Sequence, residues 1–536
     1  MHATAPEHAP AAAPTVLTPE IEALGTDLRE SRYVTEHLEE VLGAVASAAL
    51  RREDAAPARR RLAASTDPAA TLLSLFVLGE TLPAARVAAA LPTLGLEGAQ
   101  RLGLLAPADR HAADGPDERT ADGPAAGAPS VRALVDLAPY AAEDDAGPLH
   151  WWIASDLSEL ATGAPLSPEH VLGVGGASLT LARITPRAPV GRVLDLGCGG
   201  GIQAMHASRH AEHVVATDLS ERALAFAAFN AALNGIELDL RRGSLLEPVA
   251  GEVFDLVVSN PPFVITPRAG DDEHDPWTYR DGGRAGDTLL AELLAQLPAH
   301  LAPGASAVML GNWEITDEED GFAHPRAWLE PALADGVDAW VLQRDREDPA
   351  EYAGTWARDG GITPRDHRWD ALIDAWLEDF ASRAVEGIGF GYLLLRRPDA
   401  SRRGLLRTEL TTGTGSGTLS EHLAASLAAL DRLSALDDEA LAATRPVRAE
   451  DVVERRHLTP GQWDPLLIEL VQGAGLARTV PADQALAATV GALDGTLTLG
   501  QVIAAVCALT DADVEETRAR ILPAVRELAL TGMVTL

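Results

Sequence analysis

One stretch constrains this chain more than any other: Arg192–Gly201, which reads Arg-Val-Leu-Asp-Leu-Gly-Cys-Gly-Gly-Gly. Val193, Leu194 and Leu196 read as a buried parallel strand. Gly197, Gly199 and Gly201 end it in a tight turn. Glycine there permits positive φ and lets a ligand approach bare main chain. Ile202 to Arg209 follows at once as a helix, and the first N–H groups of a helix have no partner of their own.

A glycine cluster alone also fits a purely structural turn, and it resembles the dinucleotide fingerprint. That fingerprint wants a glycine at position 202, where this chain has Ile. Two further features point elsewhere. Asp195 lies inside the strand, and a buried carboxylate needs a polar or cationic partner. Asn260-Pro261-Pro262-Phe263 ends a later apolar strand.

The periodicity around this corner alternates between strand and helix. Strands are predicted at 192–196, 213–217, 236–240, 254–259, 306–310, 337–342 and 387–395. Helices are predicted at 202–210, 221–233, 286–301 and 325–333. That alternation is the signature of a doubly wound, Rossmann-like α/β sheet. Residues 344–386, with Trp356, Trp369 and Trp376, enlarge the last connection.

The flanks read differently. Residues 1–16 are expected to be a disordered tail. Residues 17–158 read as a mainly helical domain that ends in β candidates, a winged-helix-like pattern. Its helices are expected at 28–50, 70–78 and 84–91. A Gly/Pro/Ala/Asp-rich mobile loop is expected at 108–130. His150-Trp151-Trp152-Ile153 leads into the core as a packing strand. The core is placed at 159–397, a linker at 398–420, and a second winged-helix-like unit at 421–536.

Charge narrows the partners. The chain has 79 acidic and 43 basic residues, a net charge of −36, and no lysine. Schiff-base lysine chemistry is excluded. Bulk-charge binding of nucleic acid is disfavoured, since phosphate recognition leaves a basic footprint. Docking is the favoured role for the N-terminal module, and a buttress against the core for the C-terminal one. Cys198 and Cys507 are the only cysteines, which fits a reducing cytoplasm and shows no zinc pattern. No metal site is expected. Met1–Pro14 lacks the basic region and apolar core of a signal peptide, and no apolar run is long enough to span a membrane.

The core resembles the class I S-adenosylmethionine-dependent methyltransferases. The Asn-Pro-Pro-aromatic motif is similar to that of release-factor glutamine methyltransferases and of the small-domain enzymes that methylate amino groups of RNA and DNA bases. The resemblance covers about 200 residues and implies S-adenosyl-L-methionine as cofactor. It implies that Gly197, Gly199 and Gly201 cradle the cofactor and that Asp195 accepts from its ammonium. Asp218 and Leu219 would meet the ribose hydroxyls, with Ser220 the better helix cap. Ser244 and Leu245 would meet the adenine; relatives often have Asp at the position of Ser244. Asn260 and the Pro261 carbonyl would hold a planar nitrogen, Pro262 would stiffen the loop, and Phe263 would stack on it where relatives often have Tyr.

Asp271–Arg284 is expected to be a substrate lid, with Tyr279, Arg280 and Asp281 as contacts, and Asn312 is expected to line the same cleft. The favoured expectation is methylation of a protein glutamine. The alternatives are an exocyclic amine of RNA or DNA, and a winged-helix regulator that binds the cofactor without catalysis.

Overall fold

The computed structural model of the chain describes residues 11–108, 129–144, 146–164, 166–167, 169–267, 286–399, 402–411 and 413–536. The expected lid lies outside the described residues, as does most of the expected loop 108–130.

Eight strands form the central sheet: β1 (Val190–Leu196), β2 (Ala211–Asp218), β3 (Asp239–Arg242), β4 (Phe254–Ser259), β5 (Leu301–Ile315), β6 (Asp338–Glu347), β7 (Gly387–Arg396) and β8 (Leu406–Leu410). Their order is β8-β6-β7-β5-β4-β1-β2-β3. β1 to β5 pair in parallel, whereas β7 is antiparallel to both β5 and β6. Side chains alternate across each strand. Leu194 and Val257 therefore join the core on one face, and Val193 and Leu256 the core on the other. With both faces covered, the strands read as continuous apolar runs.

The helices around the sheet include α1 (Gly176–Ile184), α2 (Ile202–Ala207), α3 (Glu221–Leu233), α4 (Thr288–Gln296), α5 (Ala323–Ala334), α6 (Pro349–Asp359) and α7 (Trp369–Ser382). The fold is thus the predicted doubly wound sheet. β3 is displaced from the expected 236–240, and β5 is far longer than 306–310. Within the expected linker 398–420, residues 406–410 form β8, which pairs with β6 as a further parallel edge strand.

In the N-terminal region, helices Pro68–Phe76, Ala84–Ala90 and Gly95–Arg101 surround a small antiparallel sheet. Its order is Leu82–Pro83, Ser130–Ala133, Leu105–Pro107, with Ser130–Ala133 in the middle. The helix expected over 28–50 is broken into Thr18–Glu30 and Thr35–Leu50. The break carries Arg32 at φ 53° and buries Tyr33, whose hydroxyl donates to Leu137 O at 2.9 Å. Residues 11–16, expected in the free tail, pack instead: Thr15 N–H donates to Leu102 O at 2.9 Å.

A hairpin, Asp136–Asp144 with Gly147–Ser155, joins this region to the core. Asn230 lies in α3, and Asn234, four residues on, follows directly at its C-terminal end. Their amides bond both ways to the main chain of Ala154 and Trp152, at 2.7–3.0 Å. Trp151 and Trp152 pack as expected: the Trp152 indole donates to Tyr33 O at 2.7 Å.

The C-terminal helices Gln484–Gly491, Leu499–Thr510 and Val514–Leu530 share a core with strand Val534–Thr535. Arg478 ties this region to β8 through Glu409, with its guanidinium 5.6 Å from the Trp340 ring.

Candidate active site

The ends of β1, β2 and β4 are level. Leu196 lies opposite both Thr217 and Ser259. Gly197, Asp218 and Asn260 therefore emerge side by side at one edge of the sheet, with neighbouring strands about 4.8 Å apart. Asp195 and Asn260 share that edge.

Gly197, Gly199 and Gly201 take φ of 72°, 52° and 84°. A Cβ at Gly197 or Gly199 would meet nothing within 4 Å, so the turn faces open space. A Cβ at Gly201 would stand 3.0 Å from the Ala227 methyl, so this glycine serves close packing on α3. The N–H groups of Gly197 and Cys198 donate to Thr217 O, both at 2.9 Å. The Asn230 amide, wholly buried, donates to Gly200 O at 2.9 Å and anchors the turn from behind. Sequence reasoning missed Asn230. Its only signal was the repeat of asparagine at 230 and 234 in an otherwise apolar helix.

Two carboxylates brace this turn. Asp195 is 1% exposed and accepts from Ala204 N–H of α2 at 2.8 Å. The backbone thus supplies the partner that its burial demands. Burial pushes its carboxyl up to about 7, and the nearby Asp218 adds to the rise. Asp218 accepts from Gly199 N–H at 2.9 Å and from Ser220 N–H at 2.8 Å. Burial raises its pKa, and those N–H groups oppose the rise. Ser220 caps α3, accepting from Ala223 N–H at 3.2 Å. Burial also pushes the Cys198 thiol well up, which keeps it protonated and a poor nucleophile.

Leu219 is exposed just beyond Asp218. Ser244 and Leu245 follow β3, close to β2, since Gly243 N–H donates to Asp218 O at 3.1 Å. Leu245 holds φ 46°, unusual for a branched residue and a bend that turns the chain at this edge.

Asn260 Oδ1 is buried with no hydrogen-bond partner. Leaving a buried acceptor unpaired costs about 1–3 kcal/mol, so a ligand N–H is the natural partner. The Ser259 hydroxyl donates to Leu196 O at 2.8 Å and locks β4 to β1 just before it. Phe263 packs against the sheet core beside Leu256 and Val258.

Pro262, Phe263 and Asn312 line one small cavity with Gly286, Asp287 and Leu290. The structure thus brings Asn312 to the motif. Tyr279, Arg280 and Asp281 lie outside the described residues. Asp287 accepts from Glu314 N–H at 2.9 Å and pairs with His324 Nδ1 at 2.7 Å, which raises the His324 pKa. Glu314 is in turn paired with Arg383 at 2.7 Å. Neither Asp287 nor Tyr352, described below, was legible as a site residue, because their partners lie 27–87 positions away.

A sheet of this order with a glycine turn at the end of β1 and Asn-Pro-Pro-Phe at the end of β4 defines a class, and the comparisons agree with it. Residues 173–272 match the family described as "Methyltransferase small domain". Residues 30–115 match a domain of unknown function. The release factor glutamine methyltransferase of Xylella fastidiosa is 38% identical over 23% of this chain and 47% of its own length. The ribosomal protein uL3 glutamine methyltransferase of Bradyrhizobium diazoefficiens is 30% identical over 29% of this chain and 52% of its own. The ribosomal RNA small subunit methyltransferase C of Alcanivorax borkumensis is 29% identical over 25% and 37%. The chain spans about half the length of these curated relatives, or less.

Such domains take S-adenosylmethionine, and the residues present fit it. The open space over Gly197 and Gly199, the two carboxylates and the orphaned Asn260 Oδ1 lie on one edge. Among the described residues, no helix is long and apolar enough to cross a membrane.

Proposed function

We propose that this chain is an S-adenosylmethionine-dependent N-methyltransferase whose target is a planar nitrogen, the side-chain amide of a protein glutamine. The observation that carries this reading is the buried, unpartnered Asn260 Oδ1 at the end of β4, one strand from the glycine turn. Gly197–Gly201 presents main chain to the cofactor, and Asp195 takes its ammonium. Asp218 and Leu219 meet the ribose; Ser244 and Leu245 meet the adenine. When bound, the cofactor supplies a methyl group on a positively charged sulfur.

An amide nitrogen is a poor nucleophile because its lone pair is delocalised. Asn260 Oδ1 and the Pro261 carbonyl accept its N–H groups and hold the nitrogen where the lone pair can point at the methyl, the positioning a displacement needs. Pro261 and Pro262 fix φ and stiffen the acceptors. Phe263 gives the planar group a flat face. A net charge of −36 without lysine supports a protein substrate over RNA or DNA, as do the glutamine methyltransferase relatives. We place the chain in the cytoplasm with the translation apparatus.

Tritiated cofactor, incubated with a purified peptide-chain release factor, ribosomal proteins and ribosomal RNA, tests the proposal. Label in protein, released as methylamine by acid hydrolysis, is the expected result. Label confined to RNA, with activity falling steeply as salt rises, would establish the base-amine reading that the ribosomal RNA relative favours.

A further inference from the structure

We propose that Asn312 is a second acceptor for the substrate's N–H groups, and that Tyr352 positions it. The proposal rests on the amide-methylation reading above and names the group that site takes: a primary carboxamide, which carries two N–H bonds.

Asn312 is 1% exposed. Its Nδ2 donates to the Tyr352 hydroxyl at 2.8 Å, and its Oδ1 is buried with no partner. Met309 of β5 lies opposite Ser259 of β4, and Asn312 and Pro262 each lie three residues beyond that pair along the chain. Both line the cavity beside Phe263. That cavity is about 10 Å³, room for about one water.

The Tyr352 hydroxyl also accepts from Ile265 N–H at 2.9 Å. One phenol therefore pins both the Asn260–Ile265 loop and Asn312. The phenol itself cannot swing. Tyr352 is fully buried, with its ring centroid 5.5–5.7 Å from those of Trp376, Phe380 and Phe390. α6 and α7, the helices of the enlarged 344–386 connection, supply three of these four rings.

Asn260 Oδ1 and Asn312 Oδ1 are both orphaned acceptors. Their complement is a nitrogen with two donors: Asn260 Oδ1 takes one N–H, and Asn312 Oδ1 shares the other with the Pro261 carbonyl. In taking the methyl from the sulfonium sulfur, which would leave as the neutral thioether, the nitrogen gives up one N–H proton to solvent, so only one N–H remains and an acceptor is again unpaired. The site is therefore selective for unmethylated amide and yields a monomethyl product.

The test compares the full-length parent with Asn312→Leu and Asn312→Ser, using tritiated cofactor and a purified release factor. Melting temperature and the dissociation constant for S-adenosylhomocysteine are measured alongside. Asn312→Leu is expected to melt at or above the parent temperature, because it removes an unpaired acceptor. Its kcat/KM is expected to fall about tenfold or more, with cofactor affinity changed less than about twofold. Asn312→Ser, too short to reach, is expected to lose a similar factor.

Unchanged kcat/KM in either variant would overturn the proposal. So would a melting temperature lowered in step with activity, the mark of a structural role. If the parent leaves the release factor unlabelled, the glutamine reading is what has failed. The variants are then compared on total protein and total RNA extracts, where a tenfold loss supports the Asn312 assignment and none overturns it.

Discussion

Over β1 and β2 the edge of the sheet is made of main chain; over β4 and β5 it is made of side chains. The first half is contiguous in sequence. Gly197–Gly201, Asp195 and Asp218 lie within 24 positions, and most of their bonds are to backbone N–H groups within that span. The second half joins Asn260, Ile265, Asn312 and Tyr352 across 93 positions, and its bonds converge on one distant side chain, the Tyr352 phenol. A short motif can encode a cradle for a fixed small molecule. The second half depends instead on an insertion, the aromatic pair of helices α6 and α7.

Four substitutions would break or sharpen that contrast. The largest effect is expected from Asn260→Ala. It should lower kcat by about 10²–10³-fold, the usual loss for a positioned catalytic hydrogen bond, with cofactor affinity nearly intact by calorimetry. Equal loss of both would merge the two halves into one site. It would also bear on the regulator alternative: full cellular function in Asn260→Ala would revive it.

Asp218→Ala should act on the other half. It is expected to raise the cofactor dissociation constant about 10–100-fold, the range for hydrogen bonds to a charged group. A normal constant would remove Asp218 from the site.

Tyr352→Phe leaves Ile265 N–H and the Asn312 amide without their partner. Stability should drop by about 1–3 kcal/mol in denaturant titration, with KM for the substrate rising and cofactor affinity unchanged. A loss in cofactor affinity instead would show that the halves are coupled.

The last effect, expected from Asp195→Asn, is seen only against pH. The Asp195 carboxyl is raised in the fold from 3.8 to about 7. Its contribution to stability is therefore full below about pH 4 and lost as pH rises to about 7, by at most about 1.4 kcal/mol per pH unit. Asp195→Asn should flatten this part of the slope in urea midpoints taken from pH 4 to 7. Cofactor affinity in the parent should rise over the same window as the carboxylate forms, and should not in the variant.

The strand-turn-helix at 190–207, the capped helix at 221–233 and the strand at 254–259 were legible in the sequence, because apolar period, glycine and proline are local signals. The break in the helix at Tyr33 was not, since its cause is a carbonyl 104 positions away. Nor was β8, which looked like a linker: five half-polar residues become a strand because β6 offers them an open edge. Asn312 was picked out by its place after a strand, but the partner that orients it was invisible.

The sequence by itself determined the doubly wound core and the class of chemistry at the ends of β1 and β4, because both depend on residues next to one another along the chain. Tertiary structure decided which acceptors are left unpaired and what holds them. Whether a buried polar atom has a partner depends on every element folded around it, and no local pattern encodes that.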